Sequence, residues 1–574
     1  MLRFLRPWLG YPLAQRTRRA LAHYLRAARD ARLQQRLTLD RLLALNADSE
    51  FARRYSLTPG LSFEEYRRRI PITEYADYIP WIERLKRGET RALLGPRNPL
   101  LMFTLTSGTT QSCKFIPITT VFLQDYRRGW SLWGIRAFDD HPALHRLEIL
   151  QLASDYEQFR TAAGIPCGNI SGLVGAMQSR IVRSMYVLPP QVSKIHDPEL
   201  KYYTILRIAL NRRFVGLVMT ANPSTLLHLG KLMETAADSL LRDVQEGTLR
   251  RIGELPPSLR TQLSPYITRR PRRARELQQR AAAAGHLVPH LAWPHLQLLG
   301  VWTGGSARIY LECLRRYFAH VPIRDHGLSA SEGRMTIPFH DHRPDGLLDV
   351  GTHYFEFIPE EEIDSSQPVI LNADELQPHR NYYILLTTSS GLHRYHIRDV
   401  VRCTAFHGTT PLLEFLHKGA HMSSLTGEKL SESQVVAAVT TIRQRRMLAL
   451  SYFTLSPAWG EPPHYLFHYE QPEIPVTSQA QAICLALDHE LQALNCEYRE
   501  KRQSGRLGAI QPHPLPAGTW RKFTHQRQRR LGGSLEQYKH PCLSGDVHFV
   551  EHLQALASDV VPPEHTAPCH ERVA

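Results

Sequence analysis

Apolar positions recur at helical spacing through residues 1–50, where Leu33, Leu37, Leu39, Leu42, Leu43 and Leu45 are candidates for one buried face. Ser62-Phe63-Glu64-Glu65 is a helix start, with an N-cap serine and acids in the first turn. A further short helix begins in Ile70–Tyr78, with Thr73 as its candidate cap. The pattern then changes. Pro99–Phe103 is continuously apolar and Phe115–Ile118 is a second such run, so both read as strands flanking a polar turn. Thr119 can cap a long helix through Phe122, Trp130 and Trp133. Leu147–Leu152 alternates like a strand, a Gly/Ser-bearing loop spans 164–172, and residues 204–249 mix strand with helix, ending in a surface helix. Leu298–Trp302 is a buried strand that runs through Thr303-Gly304-Gly305-Ser306 into a helix over 307–317, and Val321–Gly327 returns to the sheet. Strand, glycine turn and helix in that order belong to a parallel sheet. His353–Ile358 and Tyr382–Thr388 are aromatic-rich strands, and Leu392–Ile397 follows a Ser390-Gly391 turn, so this part is antiparallel, with a small barrel as one outcome.

The polar, turn-rich stretch 423–432 marks a boundary. Beyond it the rhythm is α+β: a helix over 431–444, strands near 449–454 and 465–469, a helix around 480–495, and a Pro- and His-rich tail of ~20 residues that reads as loose. The expected fold class is α/β, divided into a large N-terminal domain (1–417) and a small, mobile α+β C-terminal domain (418–574). A chain of 574 residues is too long for one ordinary core.

Composition narrows the function classes. Apolar residues make up 43% and charged residues 22%, the balance of a soluble globular protein, and no apolar run is long enough to span a bilayer. The net charge of +16 suits an acidic partner such as a nucleotide, but its arginines are spread along the chain, so no nucleic-acid partner is expected. The densest basic run, Arg269–Arg275, reads as a solvated helix entrance, with RNA phosphates as the alternative. Eight scattered cysteines without C-x-x-C fit a reducing cytoplasm. Met1–Arg36 lacks a clean apolar core and cleavage site, so it reads as helix rather than signal peptide, with a membrane-surface helix as the alternative and no stable membrane insertion. His286, His290 and His295 invite a metal reading, but Pro289 and Pro294 break the periodicity that one helix face needs.

The stretch richest in chemistry is Thr104-Leu105-Thr106-Ser107-Gly108-Thr109-Thr110-Gln111-Ser112-Cys113-Lys114. Hydroxyls crowd around one glycine that lets the backbone approach a ligand, consecutive N–H groups make an anion site, and Lys114 adds a charge for polyphosphate. A Ser/Thr-rich surface hairpin would look similar. The Walker A spacing is absent. Gly304, Gly305 and Ser306 could offer N–H groups to a nucleotide or simply make a tight connection. Arg127 and Arg128 could pair with a substrate carboxylate or be solvated, and Trp130 and Trp133 could contact a ligand or fill the core.

The loop resembles the phosphate-binding signature T-S-G-T-T-G-x-P-K of adenylate-forming enzymes. Leu328-Ser329-Ala330-Ser331-Glu332 and Tyr395-His396-Ile397-Arg398-Asp399 resemble Y-A-S-S-E and Y-R-V-G-D of the Gretchen Hagen (auxin-responsive promoter) family of acyl acid–amido synthetases. Order and spacing fit that family over most of the chain, down to Gln537-Tyr538-Lys539-His540-Pro541. The resemblance implies a large domain of mixed sheets and a small β-barrel flanked by helices, with a small mobile C-terminal domain hinged near Lys418. It implies ATP and Mg²⁺ as cofactors, and a small carboxylic acid and an amino acid as substrates of a monomeric, cytoplasmic ligase. Thr106, Ser107, Gly108, Thr109, Thr110, Lys114, Gly304, Gly305, Ser306, Ser331, Tyr395, Asp399 and Lys418 would bind ATP. Glu332 would hold the metal, Lys539 and Lys429 would act with it in catalysis, and Arg127, Trp130 and Trp133 would line the acyl pocket. The chain departs from the pattern at Gln111, Cys113, Leu328 and Arg398, where the usual residues are Gly, Pro, an aromatic and Gly. Acyl transfer to a thiol (a CoA or carrier-protein ligase) and a noncatalytic binder are the alternatives.

Overall fold

A computed structural model describes residues 2–107, 113–177, 180–363, 365, 367–419, 422–423, 425–426, 428, 430–448, 450–503, 505, 507–531 and 539–557. The chain divides into two compact units, Met1–Ala420 with Leu531–Lys539, and His421–Arg530 with His540–Ala574. Among the described residues no helix is long and apolar enough to cross a membrane.

The first unit opens with the helices α1 (Leu2–Ala27), α2 (Ala31–Asn46), α3 (Glu50–Arg54), α4 (Phe63–Arg69) and α5 (Tyr75–Lys86). Leu39, Leu42 and Leu43 enter the core as their spacing predicts, whereas Leu33 and Leu37 are 52% and 54% exposed, on the outer side of α2. The Ser62 start of α4 closes as a reciprocal box: Glu65 N–H donates to Ser62 Oγ at 3.1 Å, and Ser62 N–H donates to Glu65 Oε2 at 2.8 Å. Thr73 does not cap α5. The cap is Glu74, while the Thr73 hydroxyl donates to the His393 carbonyl at 2.7 Å and so ties this entry to a distant strand.

Four sheets and hairpins position the chemistry of this unit. In the first sheet β1 (Leu100–Ser107) and β2 (Cys113–Thr119) form an antiparallel hairpin, extended by β4 (Phe159–Arg160) and β5 (Pro166–Gly168) in the order β2-β1-β5-β4. Thr119 then starts α6 (Thr120–Asp140), its hydroxyl accepting from Phe122 N–H at 3.2 Å. A parallel sheet runs β3 (Glu148–Gln151), β6 (Val215–Met219), β7 (Leu298–Val301) and β8 (Ile323–Asp325). Its central strands are apolar on both faces because helices cover both. The turn after β7 enters a 3₁₀ segment, Gly305–Tyr310, before the helix Leu311–Phe318, so the expected helix starts later than position 307.

β9 (Ser329–Ala330) and β10 (Gly333–Arg334) make a short hairpin with Ser331 and Glu332 at its tip. β11 (Thr336–Ile337), β12 (Asp345–Leu348), β13 (Tyr354–Pro359), β14 (Asn381–Thr387), β15 (Tyr395–His407) and β16 (Thr410–Lys418) form one antiparallel sheet in the order β11-β12-β16-β15-β14-β13. Among the described residues its end strands, β11 and β13, are not paired with each other.

The Arg269–Arg275 run is only partly a solvated entrance. Arg273 is buried, its guanidinium donating to the carbonyls of Leu210 and Ala292 at 3.1 and 2.5 Å. His290 meets the Tyr317 carbonyl at 3.1 Å and His295 stacks on Phe214, so these histidines serve packing.

The second unit is α+β. β17 (Met422–Ser423) pairs with β18 (Leu430–Ser431), and a three-stranded sheet joins β19 (Phe453–Ala458), β20 (His464–Glu470) and β21 (Gln511–Leu515). The helices Glu432–Arg446 and Thr477–Leu494 pack together in this unit. Ser431 caps the first of them through a second reciprocal box with Gln434.

Candidate active site

Segments far apart in sequence meet around the first residues of β2 and the tip of β9–β10. The start of α5 is the joint between them and β15. Phe115 N–H donates to the Tyr75 hydroxyl at 2.7 Å, and the Lys114 ammonium lies 5.3 Å from the Tyr75 ring, which fixes β2. One residue earlier, Glu74 takes a forked pair from Arg398 with two contacts of 2.7 Å. Thr73 N–H donates to the Arg394 carbonyl at 3.0 Å, and His396 N–H to the Thr73 carbonyl at 2.8 Å, so β15 is held as well.

The charged groups face one another there. Glu332 is buried at the β9–β10 tip, and that burial raises its carboxyl above the ordinary value of 4.5, with Lys418 pulling against the rise, Asp399 adding to it and Lys114 opposing it. Asp399 and Lys418 are partners across β15 and β16, and their side chains pair at 3.1 Å. Lys418 rises above its usual range although burial works against it, because Asp399 and Glu332 favour its charged form. Lys114 falls, burial being the largest cause. Tyr395 is buried beside them, its phenol pushed up by burial and then by Glu332. Two acids and two lysines at one place form a site that matches a charge-rich ligand better than it serves packing.

Other expected residues fall differently. Gly108, Thr109, Thr110 and Lys429 lie outside the described residues. Thr106 and Ser107 end β1, Ser306 lies in the 3₁₀ segment, and Ser331 is half-buried at the hairpin tip. Gly304 and Gly305 are explained by packing against β16: a methyl at Gly304 would come within 2.9 Å of the Phe415 carbonyl, and one at Gly305 within 2.7 Å of the Leu416 carbonyl. Trp133 is in the core, where its indole N–H donates to the Asp325 carbonyl at 2.9 Å. Trp130 is half-buried, and Arg127 is half-buried on the same helix. Arg128 pairs with the buried Asp349 at 2.7 Å while its side chain stays 40% exposed, so its guanidinium already has a structural partner.

Lys539 belongs to the first unit, its ammonium 4.4 Å from the Trp302 ring centre and 4.5 Å from that of Phe415. With Asp325, Gly327 and Ser329 they line a small cavity. Asp325 was not singled out by its sequence. It accepts from Thr303 N–H and hydroxyl at 2.6 and 2.7 Å and from Gly327 N–H at 2.6 Å, which clamps the two strand ends that shape the cavity wall, and burial pushes its carboxyl up to about 6. Tyr75, Glu74 and Trp302 were also missed. Each lies a residue or two from a recognised feature, but only the fold brings it to the site.

The chain also matches family models of three successive domains: the GH3 family N-terminal domain over residues 20–323, its central domain over 346–418 and its C-terminal domain over 433–548. The chain belongs to the GH3 family. Curated relatives include the jasmonoyl–L-amino acid synthetase JAR4 of Nicotiana attenuata, 25% identical over 93% of this chain and 94% of the relative. The indole-3-acetic acid-amido synthetase GH3.10 of Arabidopsis thaliana is 24% identical over 89% of this chain and 92% of that one. The solved GH3.15 acyl acid amido synthetase has the same fold, with a TM-score of 0.80 at 20% identity over 94% of this chain and 95% of that structure.

Arg398, at the position that is glycine in the usual GH3 motif, has φ +61. That left-handed backbone suits glycine, and here the strain is offset in part by the forked Glu74 pair, which is half exposed and so worth little. Arg398→Ala should therefore lower stability by about 1 kcal/mol, whereas Arg398→Gly should match the parent within about 0.5 kcal/mol. Thermal unfolding of both variants checks this, and equal losses would refute the backbone explanation.

Proposed function

We infer that this GH3 protein is an ATP-dependent acyl acid–amido synthetase, which activates a small carboxylic acid as its acyl-adenylate and passes the acyl group to the amine of an amino acid. The observation that carries the reading is the meeting of Lys114, Glu332 and Asp399, drawn from three separate motifs, with Lys418 at one charged site.

In the first half-reaction a carboxylate oxygen attacks the α-phosphorus of ATP, the bond to the bridging oxygen of the β-phosphate breaks, and pyrophosphate leaves. Two anions must meet, so the chain contributes positioning and positive charge. Lys114 and the loop between β1 and β2 are suited to the phosphates. Asp399, an acceptor-only group when ionised, suits both ribose hydroxyls, with Lys418 holding its carboxylate in place. Tyr395, buried beside these charges, would offer its ring or phenol to the nucleotide. Lys539 is assigned to neutralising the phosphates, and the aromatic faces of Trp302 and Phe415 give its ammonium a resting place. The donor set also fits Mg²⁺, which favours a single hard carboxylate together with phosphate oxygens: Glu332 would hold it, and when bound it supplies charge neutralisation.

In the second half-reaction the amine attacks the acyl carbonyl carbon, the bond to AMP breaks, and the amine loses a proton. On the acyl side Trp130, with Arg127 on the same helix, borders the space next to the β9–β10 hairpin. The scheme runs in a single copy of the chain, and scattered cysteines without C-x-x-C suit a reducing cytoplasm.

The test is pyrophosphate release with aryl, indole and fatty acids crossed with the common amino acids, with products identified by mass. Acid-dependent release with an amide product is expected. A CoA thioester formed in preference to every amide would move the protein to the thiol ligases, and no release with any acid would end the ligase reading.

A further inference from the structure

A buried guanidinium without an acceptor lies beside the β9–β10 hairpin. Arg334 is 2% exposed. Its Nε, Nη1 and Nη2 find no acceptor among the described residues. Leaving a buried charge without hydrogen-bond partners is among the costliest arrangements in a protein, so a guanidinium placed this way is suited to an anionic ligand.

The surroundings are built to admit the group. A methyl on Gly129 would come within 2.7 Å of Arg334 Cδ, and one on Gly327 within 3.1 Å of its Nη2, so both glycines make room. The guanidinium carbon lies 4.1 Å from the Trp130 ring centre, and the half-buried His326 packs edge-on against the same ring at 4.3 Å. His326 Nδ1 likewise lacks a partner among the described residues. Burial holds His326 neutral and brings Arg334 down to about 10. The nearby carboxylates compensate the charge through space but are engaged elsewhere, Asp325 with Thr303 and Gly327, Asp349 with Arg128. Gly327, against which Nη2 rests, is also a wall of the cavity that holds Ser329 and Lys539.

Resting on the ligase reading above, we propose that Arg334 receives a second anionic group of the acyl acid, a carboxylate, so that the preferred acid is a dianion with one end activated and the other kept charged. The reacting carboxylate is the poorer occupant. Adenylation joins it to the α-phosphate as a mixed anhydride, so a carbonyl replaces the carboxylate that would have paired with the guanidinium, which stabilises the ground state over the product of the step. A group that stays charged keeps its partner through both half-reactions. A site built to hydrogen-bond a polar group also rejects analogues that lack it.

The experiment measures acid-dependent ATP–pyrophosphate exchange for matched pairs: adipate against hexanoate, and 4-carboxyphenylacetate against phenylacetate. The parent protein should show kcat/KM at least tenfold higher for the diacid of each pair, and that ratio should fall at least tenfold in Arg334→Met and recover in part in Arg334→Lys. No diacid preference in the parent, or an equal loss for both acids of a pair in Arg334→Met, overturns the proposal. A readout without turnover accompanies it. At fixed ionic strength adipate should raise the thermal midpoint of the parent more than hexanoate does, and the difference should vanish in Arg334→Met. If no acid supports exchange, the ligase reading fails, while a midpoint difference still upholds the anion site and its absence removes it.

Discussion

Glu332→Gln should lower acid-dependent pyrophosphate exchange by about 10²–10³-fold while raising, not lowering, the stability of the free protein. The two effects have one cause. The carboxylate sits buried at a hairpin tip, among charges arranged for a ligand, and burial raises its carboxyl above 4.5. An acid whose folded value is raised favours the folded state only while it is protonated. Its unfavourable contribution therefore starts as pH climbs past the unfolded value, and is complete above the folded one. The isosteric amide removes that cost, so the gap in thermal midpoint between variant and parent should open from about pH 4.5 upward. Exchange at the parent rate would take Glu332 out of the nucleotide site. A variant less stable than the parent at neutral pH would show that Lys418 and Lys114 outweigh the burial.

The second large effect lies outside the site. Glu356 on β13 is buried, with Oε1 accepting from Arg67 Nε at 2.9 Å and Oε2 from Arg394 Nε at 2.9 Å. Arg394 also donates to the Ile70 carbonyl at 2.8 Å, and Arg67 to Asn372 Oδ1 at 2.9 Å, so one carboxylate joins α4 to the six-stranded sheet. Removing it strands two cations, one of them fully buried. Glu356→Ala should destabilise the first unit by about 3–5 kcal/mol. The neighbouring Tyr395, which follows Arg394 directly, should lose its fixed position with it. Chemical denaturation followed by tryptophan fluorescence reads the loss. A shift under about 1 kcal/mol would mean that the arginines find other acceptors and that the network is not a structural pin.

Much of the local structure was legible in the residues. Ser62 and Thr119 start helices as their side chains dictate, because capping is decided within a few residues. The strands on either side of the Thr/Ser-rich turn, the parallel sheet around Leu298–Val301 and the α+β rhythm after position 430 follow from periodicity. Thr73 misled because a hydroxyl that could cap its own helix has a stronger claim from the His393 carbonyl, far along the chain. Leu33 and Leu37 misled because helical spacing identifies a face but not how wide a strip of it is covered. Gly304 and Gly305 were read as binding groups, and the close approach of β16 gives each a packing reason as well.

The residues alone determined the family, the motifs that carry its chemistry and the identity of the chargeable groups, because short spacings and residue types suffice for those. Which groups meet was left to the tertiary structure. The pairing of Lys418 with Asp399, the link from Tyr75 to Phe115 and the isolation of Arg334 all depend on strand register and on what covers each side chain. Burial and distance set the strength of a charge, and neither is a property of sequence neighbours. For that reason the motifs could point to where the chemistry lies, while the burial of Arg334 without an acceptor among the described residues appears only once the chain is folded around it.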